Sequence, residues 1–350
     1  MSEGLKPYIH LIVAGETLSE DQAMQAVDCM MAGDATLAQM GAFLSMLRLR
    51  GETSDELTGA AKAMQKHMVS LPIPPNLHIM DIVGTGGDRS GSYNISTTTA
   101  FVVAACGVPV AKHGNRAASS KSGSADVLTA LGFDLDAPFE QISKSIEQTG
   151  FGFMLAQRHH AAIRNVMPAR VELAMPTLFN FLGPLCNPAR VKLAMIGCFD
   201  PAYMERMART ASALGMDRVM VVNGQVESGT DSNACTSLDE VSLSGSTSGF
   251  EMINGALRPI EITPELAGME RLKSPQIKGG SASENASAML GVLGGDQNDY
   301  RQMVLINSAA ALLLAEQASS LKQGVQMAAQ AIDQGAALDV LTRARAITPL

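Results

Sequence analysis

A glycine-rich loop that directly follows a short apolar run is the feature that most restricts the fold. Residues 79–83 read Ile-Met-Asp-Ile-Val, and residues 84–88 read Gly-Thr-Gly-Gly-Asp. The apolar run predicts a buried strand, and the glycines leave backbone N–H groups open to a ligand. Residues 94–98 then place an amide and three hydroxyls at the start of a predicted helix. A strand, a bare loop and a helix in this order predict an α/β protein that binds phosphate.

The type of phosphate loop can be narrowed by elimination. A dinucleotide fingerprint that starts at Gly84 would need glycine where Arg89 stands, and no Gly-Lys-Ser/Thr triplet closes a P-loop. Lys112 and Arg116 add two positive charges after the next apolar run. Glycines, hydroxyls and cations together favour a multiply charged phosphate ligand over a plain strand-to-helix turn.

Patterns along the chain predict a small helical domain followed by a larger α/β domain with a mostly parallel central sheet. Capping boxes at residues 19–22, 36–39 and 53–56 predict three short helices. After a proline-rich linker, short β-rich runs alternate with helical stretches, which is typical of parallel sheets. These runs are residues 79–83, 108–111, 153–155, 193–196 and 219–222. We place the helical domain at residues 1–72 and the α/β domain at residues 76–158 and 191–350.

Composition excludes several classes of protein. A net charge of −8 with scattered Lys and Arg disfavours a nucleic-acid partner. No apolar run is long enough to cross a membrane, and the first residues lack the pattern of a signal peptide. The five cysteines are far apart and include no C-x-x-C, which predicts reduced thiols in the cytoplasm.

Over nearly its whole length the sequence resembles the anthranilate phosphoribosyltransferase family. The resemblance rests on the segments at 84–88, 94–98 and 112–116 and on Ser-Ser-Lys-Ser-Gly-Ser-Ala-Asp at 119–126. It also includes His160 with Arg170, Phe-Asn-Phe-Leu-Gly-Pro-Leu-Cys-Asn-Pro at 179–188, and Leu-Asp-Glu at 238–240. It implies transfer of the phosphoribosyl group of phosphoribosyl pyrophosphate to the amine of anthranilate, in tryptophan biosynthesis. It also implies a helical segment near residues 160–190 that returns to the first domain, and a homodimer through that domain.

The resemblance assigns site residues to each ligand. Those implied for phosphoribosyl pyrophosphate are Gly84, Gly86, Gly87, Asp88, Asn94, Ser96, Thr97, Lys112 and Ser124. Those implied for anthranilate are Gly84, Asn115, His160 and Arg170. Those implied for Mg²⁺ are Ser96, Asp239 and Glu240. No residue is expected to act as a covalent nucleophile or as an acid or base, because charge stabilisation and positioning suffice for this reaction.

The chain departs from the usual family pattern on the acceptor side. Gln157, Ala161, Pro176 and Asn223 stand where the family usually has other residues. A polar insertion at residues 225–237 has little apolar surface to bury and predicts a surface loop. Two alternatives therefore stay open, a related phosphoribosyltransferase with another aromatic acceptor and a pyrimidine-nucleoside phosphorylase-like enzyme. The phosphorylase pattern is Lys-His-Ser, whereas Lys112 is followed here by His-Gly-Asn.

Overall fold

A computed structural model describes residues 3–74, 77–117, 121–226 and 237–350. Within these ranges the chain forms an N-terminal helical bundle and an eight-stranded sheet. None of the helices in these ranges has both the length and the apolar character that a membrane span requires.

The bundle begins with four helices whose ends match signals in the sequence. They are α1 (Lys6–Val13), α2 (Glu20–Ala32), α3 (Leu37–Arg50) and α4 (Ser54–Lys66). Ser19, Thr36 and Thr53 form the predicted capping boxes at the starts of α2, α3 and α4. Gly33 ends α2 in the left-handed conformation. The three predicted helices are confirmed. The sequence pattern does not reveal α1, because no side chain caps its first turn.

The sheet is parallel at its centre and antiparallel at one side. Its strands are β1 (Met80–Gly84), β2 (Val110–Gly114), β3 (Phe151–Leu155), β4 (Leu193–Gly197), β5 (Arg218–Gln225), β6 (Ser237–Leu238), β7 (Thr247–Ile253) and β8 (Ala256–Ile262). Their order is β3-β2-β1-β4-β5-β7-β8, and β6 pairs with β5. The four pairings among β1 to β5 are parallel, which confirms the predicted mostly parallel sheet. The sequence analysis does not predict β6, β7 or β8, which pair antiparallel.

The insertion begins and ends in a short two-stranded ladder. Gln225 pairs with Ser237, so the two ends of the insertion lie side by side. Residues 227–236 lie outside the described residues, and the predicted surface loop stays a prediction.

Further helices cover the sheet and complete the bundle. They are α5 (Ile95–Ala105), α6 (Ser124–Ala130), α7 (Phe139–Thr149), α8 (Ala156–His159), α9 (Met167–Leu173), α10 (Phe179–Leu182), α11 (Met204–Ala213), α12 (Ala282–Leu293), α13 (Asp299–Leu314), α14 (Leu321–Asp333) and α15 (Ala336–Ile347). Helix α9 packs against α3, and α10 packs against α4. The chain between β3 and β4 therefore contacts the N-terminal bundle.

Alternate side chains of the central strands belong to two different cores. On β1, Met80 and Ile82 join the core formed with α5 and α13, which we call the first core. Val83 and Ile196 join a second core that also contains Leu44 of α3 and other side chains of the bundle. Because side chains alternate along a strand, each central strand contributes to both cores. The carboxyl ends of these strands meet at one edge, where open α/β sheets place ligands.

Candidate active site

The segment that carries the acidic pair crosses the carboxyl ends of three strands. Glycines stand there on β1, β4 and β5. A Cβ atom on Gly197 would lie 1.5 Å from the backbone oxygen of Asp239, and one on Gly224 would lie 2.4 Å from that of Glu240. A Cβ atom on Gly84 would lie 2.4 Å from the Asp239 carboxylate. The three glycines therefore make the room in which the acidic pair reaches the edge of the sheet.

The glycine-rich loop and the acidic pair form one hydrogen-bonded unit. The Gly86 N–H donates to Oδ2 of Asp239 at 2.8 Å. Gly86 and Gly87 have φ angles of 68° and 87°, which side-chain-bearing residues rarely adopt. The Asp88 carboxylate accepts the Ser90 N–H at 3.0 Å and the Asp239 N–H at 3.4 Å. The structure thus brings Gly84, Gly86 and Asp88 together with Asp239.

The first turn of α5 faces the same carboxylates. The Ser96 N–H donates to Oε1 of Glu240 at 3.1 Å, so Glu240 occupies the place of a capping side chain. Thr97 is buried in the same turn. The Lys112 ammonium donates to the Ser96 hydroxyl at 3.3 Å and to the Ile82 carbonyl at 2.5 Å. The start of α5, the Lys112 ammonium and the Glu240 carboxylate therefore meet at Ser96.

Burial disfavours the ionised forms of the Asp239 and Glu240 carboxylates. Burial, and then the charge of Asp88, raise the pKa of Asp239 to about 7. Burial, and then the charge of Asp239, raise the pKa of Glu240 well above its usual range. Burial lowers the pKa of Lys112, against the charges of Asp81, Glu240 and Asp239. In the part of the chain that the structure describes, neither Asp239 nor Glu240 forms an ion pair with a cation within 4 Å. A cation bound at this edge would lower both pKa values and so favour the ionised carboxylates.

Side chains alone do not enclose a metal ion at this edge. Within the described ranges, no group of three or more His, Cys, Asp or Glu side chains could hold one. The available donors are the oxygens of Asp239, Glu240 and Ser96, which are hard ligands of the kind that suits Mg²⁺. Such a set is incomplete without further oxygen ligands, and phosphate oxygens are of the same chemical kind.

The sequence analysis misses one fully buried carboxylate, that of Asp81, which lies beneath the site. Asp81 of β1 accepts the Asn187 side-chain amide at 2.7 Å and the His113 N–H at 3.2 Å. The Asn187 amide also donates to the Ala111 carbonyl at 2.9 Å. Asp81 thereby ties the segment before β4 to β1 and β2. A charged residue inside the apolar run 79–83 is the signal that would have revealed it.

Asp81 gives a testable pH dependence of stability. Burial raises its pKa from 3.8 to about 6, against the attraction of Lys112. A raised native pKa contributes stability below the unfolded pKa, and this contribution is lost as the pH rises through the folded pKa. Between pH 3 and pH 7 the unfolding free energy of the wild type should therefore fall, relative to Asp81→Asn, by about 3 kcal/mol, and the difference should be constant above pH 7.

Urea unfolding at a series of pH values measures this difference. The readout is the change with pH in the difference between the two unfolding free energies. The pH-independent part of that difference is not used, because asparagine also has one hydrogen-bond acceptor fewer. Asp136→Asn is the control, since the side chain of Asp136 is 83% exposed. Parallel curves for wild type and Asp81→Asn would show that Asp81 keeps an ordinary pKa.

Two of the predicted acceptor residues, His160 and Arg170, lie on the side of β2 that faces the second core. Successive residues of a strand point to opposite faces, so Lys112 and His113 serve different sides. The His113 ring lies 5.2 Å from the His160 ring, and its Nδ1 lies 3.2 Å from the Gly183 carbonyl. Burial lowers the pKa of His160 to about 4, and the nearby backbone of Cys186 offsets this only in part. Both rings are therefore neutral at pH 7.

Arg170 contributes a guanidinium group without an acidic partner. It lies on α9, with its guanidinium carbon 5.6 Å from the centre of the Phe179 ring. Burial lowers its pKa, and none of the described carboxylates lies within 4 Å of it. A desolvated, unpaired guanidinium favours binding of an external carboxylate. The 179–183 segment connects Arg170 with His113.

Two predicted residues lie at the exposed border between these groups. The Ser124 hydroxyl donates to the Asn115 carbonyl at 3.3 Å, at the start of α6. The Asn115 side chain accepts the Arg116 N–H at 2.9 Å. The structure therefore places Asn115 with Ser124, whereas Arg170 lies against Phe179.

Comparison with known proteins identifies the family. The glycosyl transferase family, a/b domain, matches residues 76–338, and the glycosyl transferase family, helical bundle domain, matches residues 6–68. The anthranilate phosphoribosyltransferase of Brucella suis biovar 1 (strain 1330) is 49% identical over 344 residues, which are 98% of this chain and 98% of that protein. The chain belongs to the anthranilate phosphoribosyltransferase family. The predicted family is therefore confirmed.

Solved structures of the family share the fold of this chain. The crystal structure of anthranilate phosphoribosyltransferase from Thermus thermophilus has 38% sequence identity and a TM-score of 0.86, with 97% of this chain and 98% of that chain covered. The Saccharomyces cerevisiae enzyme in complex with PRPP and Mg has 26% identity and a TM-score of 0.86, with 99% and 98% covered. Both matches include the helical bundle and the α/β part, which confirms the predicted fold class.

One departure from the usual family pattern has a structural explanation. Asn223 of β5 is buried, and its amide donates to the Cys198 carbonyl at 2.8 Å. It thereby joins the ends of β4 and β5 beneath the acidic segment. Nothing in the structure explains Gln157, Ala161 or Pro176.

Proposed function

We infer that the chain transfers the phosphoribosyl group of 5-phosphoribosyl 1-pyrophosphate to the amine of anthranilate, giving N-(5-phosphoribosyl)anthranilate and pyrophosphate in tryptophan biosynthesis. The observation that carries this inference is 49% identity over 98% of the chain to an enzyme of that name. The geometry supports this function. The Lys112 ammonium, suited to phosphate, and the Arg170 guanidinium, suited to a carboxylate, lie on opposite sides of β2.

Loss of anthranilate fluorescence in the presence of phosphoribosyl pyrophosphate and Mg²⁺ tests the function directly. We expect the loss to require both substrates. A series of substituted aromatic amines tests the alternative of a different acceptor, and turnover of another amine with none for anthranilate would overturn the inference. Phosphorolysis of uridine or thymidine tests the nucleoside phosphorylase alternative.

We propose that phosphoribosyl pyrophosphate binds at Gly84, Gly86, Gly87, Asp88, Asn94, Ser96, Thr97, Lys112 and Ser124. Negative charge grows on the pyrophosphate as its bond to the ribose breaks. The positive end of the α5 helix dipole and the Lys112 ammonium are suited to stabilise that charge. Neutral His113 and His160 are consistent with a reaction that needs no acid or base from the protein.

We propose that Asp239 and Glu240, with the Ser96 hydroxyl, hold Mg²⁺. The support is the buried Glu240 and the partly buried Asp239, whose pKa values are raised and which form no ion pair within 4 Å among the described side chains. The ion, when bound, supplies counter-charge to pyrophosphate oxygens. The yeast relative was solved with PRPP and Mg, which supports the same ligands here.

For anthranilate we propose Gly84, Asn115, His160 and Arg170 as the binding residues, with Arg170 as the partner of its carboxylate. Arg170→Ala should weaken anthranilate binding by about 2–3 kcal/mol, because a charge-assisted fork is lost. The affinity for phosphoribosyl pyrophosphate should stay nearly unchanged. Lys112→Ala should weaken the binding of phosphoribosyl pyrophosphate and leave the affinity for anthranilate nearly unchanged.

Calorimetric titration of each variant with each substrate measures these affinities. Arg164→Ala is the control for loss of positive charge, since Arg164 is exposed in the same segment. Equal losses for both substrates in Arg170→Ala would contradict the assignment.

We propose a homodimer formed through the helical domain. Val13, Leu49 and Val171 are 70%, 89% and 68% exposed, and their helices α1 and α9 both pack on α3. Neighbouring exposed apolar side chains favour association. Leu49→Arg should shift the sedimentation coefficient to that of a monomer, whereas Leu266→Arg, on an exposed leucine of the α/β part, should not. A wild-type monomer at micromolar concentration would overturn the proposal.

We also propose two domains and a cytoplasmic location for the protein. We propose residues 1–72 with the 160–190 segment as the helical domain, supported by the packing of α9 on α3. Residues 76–158 and 191–350 would form the α/β domain. A cytoplasmic location is supported by Cys29, Cys106, Cys186 and Cys198, which are all free thiols.

A further inference from the structure

A chain of directed hydrogen bonds connects α12 with the start of α5. The Gly280 N–H donates to Oδ1 of Asn285 at 2.7 Å. The amide nitrogen of Asn285 donates to Oδ1 of Asn94 at 2.9 Å. The amide nitrogen of Asn94 is then directed to the Ser122 carbonyl, at 3.5 Å. Asn94 thus contacts two segments that are far away in the sequence.

The direction of this chain is fixed at one end by the backbone. A backbone N–H can only donate, so Gly280 requires the oxygen of the Asn285 amide on its side. The NH₂ group of Asn285 must then face Asn94, and it requires the oxygen of Asn94 in turn. The NH₂ group of Asn94 therefore points away from Asn285 and towards the Ser122 carbonyl.

Asn285 is held rigidly and is not needed to cap its own helix. It is 2% exposed. Ser281 and Glu284 already form the capping box of α12. The segment before α12 is hydrogen-bonded to the chain that follows the glycine-rich loop. The Gly279 N–H donates to the Gly91 carbonyl at 2.8 Å, and Lys278 forms an antiparallel β-bridge with Ser92. A buried amide in a fixed segment can set the orientation of a second amide.

The Asn94 side chain also has no role in capping α5. No hydrogen bond from the first turn reaches it, and Glu240 accepts the Ser96 N–H instead. The NH₂ group of Asn94 has two hydrogens and makes one long contact of 3.5 Å to the Ser122 carbonyl, so it can also donate to a ligand. The oxygen of that amide would repel phosphate, whereas its NH₂ group would donate to phosphate or ribose oxygens.

We propose that Asn285 is a positioning residue for phosphoribosyl pyrophosphate, which keeps the NH₂ group of Asn94 turned towards the bound ligand. The proposal rests on the proposed binding of this substrate at Asn94. Asn285 does not touch the substrate and acts through the orientation of Asn94.

Asn285→Asp tests the proposal because it reverses one bond and keeps the other. At pH 8 the carboxylate still accepts the Gly280 N–H but cannot donate to Asn94, so the Asn94 amide should rotate and present its oxygen to the ligand. We expect the KM for phosphoribosyl pyrophosphate to rise by about tenfold or more, with the KM for anthranilate unchanged. Asn285→Ala, which removes the acceptor of the Gly280 N–H and frees Asn94 without reversing its amide, should give a smaller rise. Ser287→Ala, on the exposed side of the same helix, is the control.

The double variant with Asn94→Ala separates positioning from a structural role. If Asn285 acts through Asn94, then Asn285→Asp should raise the KM no further in the Asn94→Ala background. Additive effects, or equal rises in KM for both substrates, would overturn the proposal. If Asn285→Asp does not fold, the same cycle is run with Asn285→Ala.

Calorimetric titration with phosphoribosyl pyrophosphate alone distinguishes failure of this proposal from failure of the proposed function. If anthranilate is not the acceptor, the wild type still binds phosphoribosyl pyrophosphate and the variants still differ. If all variants bind it as the wild type does, the positioning role is wrong whatever the acceptor is.

Discussion

Replacement of Glu240 by glutamine is expected to lower turnover by about 10²–10³, the scale for loss of one preorganised charge-stabilising group. The glutamine oxygen can still accept the Ser96 N–H, so the start of α5 should keep its geometry. What is lost is one of two negative charges proposed to hold Mg²⁺. The Mg²⁺ concentration for half-maximal activity should therefore rise as well.

Stability separates this effect from misfolding. The repulsion from Asp239 contributes to the raised pKa of Glu240, so removing the charge relieves strain in the metal-free protein. The melting temperature of metal-free Glu240→Gln should consequently equal or exceed that of the wild type. Glu261→Gln, on an exposed glutamate of β8, is the control and should change neither quantity. Full activity of the wild type in excess chelator would disprove the metal assignment.

Gly197→Ala should affect both the fold and the chemistry. The new Cβ atom would lie 1.5 Å from the backbone oxygen of Asp239, so the acidic segment must move away from the sheet. We expect the unfolding free energy to fall by about 1–3 kcal/mol, as for other overpacked sites. Turnover should fall by about 10², the cost of misplacing catalytic groups by an ångström.

Gly249→Ala is the matched control for this variant. A Cβ atom there would lie 2.3 Å from the Val221 backbone oxygen, again a clash within the same sheet, but on β7. It should lower the unfolding free energy and leave the turnover of the folded protein unchanged. If both variants lose turnover equally, the close approach of Gly197 to Asp239 has no special role in activity.

Local signals in the sequence were sufficient for much of the fold. The capping boxes at Ser19, Thr36 and Thr53 predicted three helices, because capping depends on residues only three apart. The central strands β1 to β5 were predicted because strands buried on both faces are nearly continuous apolar runs. The β7–β8 hairpin is not predicted, since Gly249 and Pro259 interrupt the apolar pattern of its two strands.

The site was predicted less completely because its parts meet across long stretches of chain. The resemblance placed Asp239 and Glu240 in the site, but only the structure shows that Gly197 and Gly224 make room for them. Asp81 and Asn285 act on residues of other segments, and no local pattern reports a partner more than a hundred residues away. Their partners become visible only when the backbone brings them together.

The second core has a consequence for how the chain can be divided. Its side chains come both from the N-terminal helices and from one face of the sheet, as Leu44 and Ile196 illustrate. A chain cut after residue 72 would give two fragments, each with part of this core exposed to water. We therefore expect the two sequence-defined modules to unfold in a single transition, and expect neither to be stable in another protein without a substitute for the surface that it leaves uncovered.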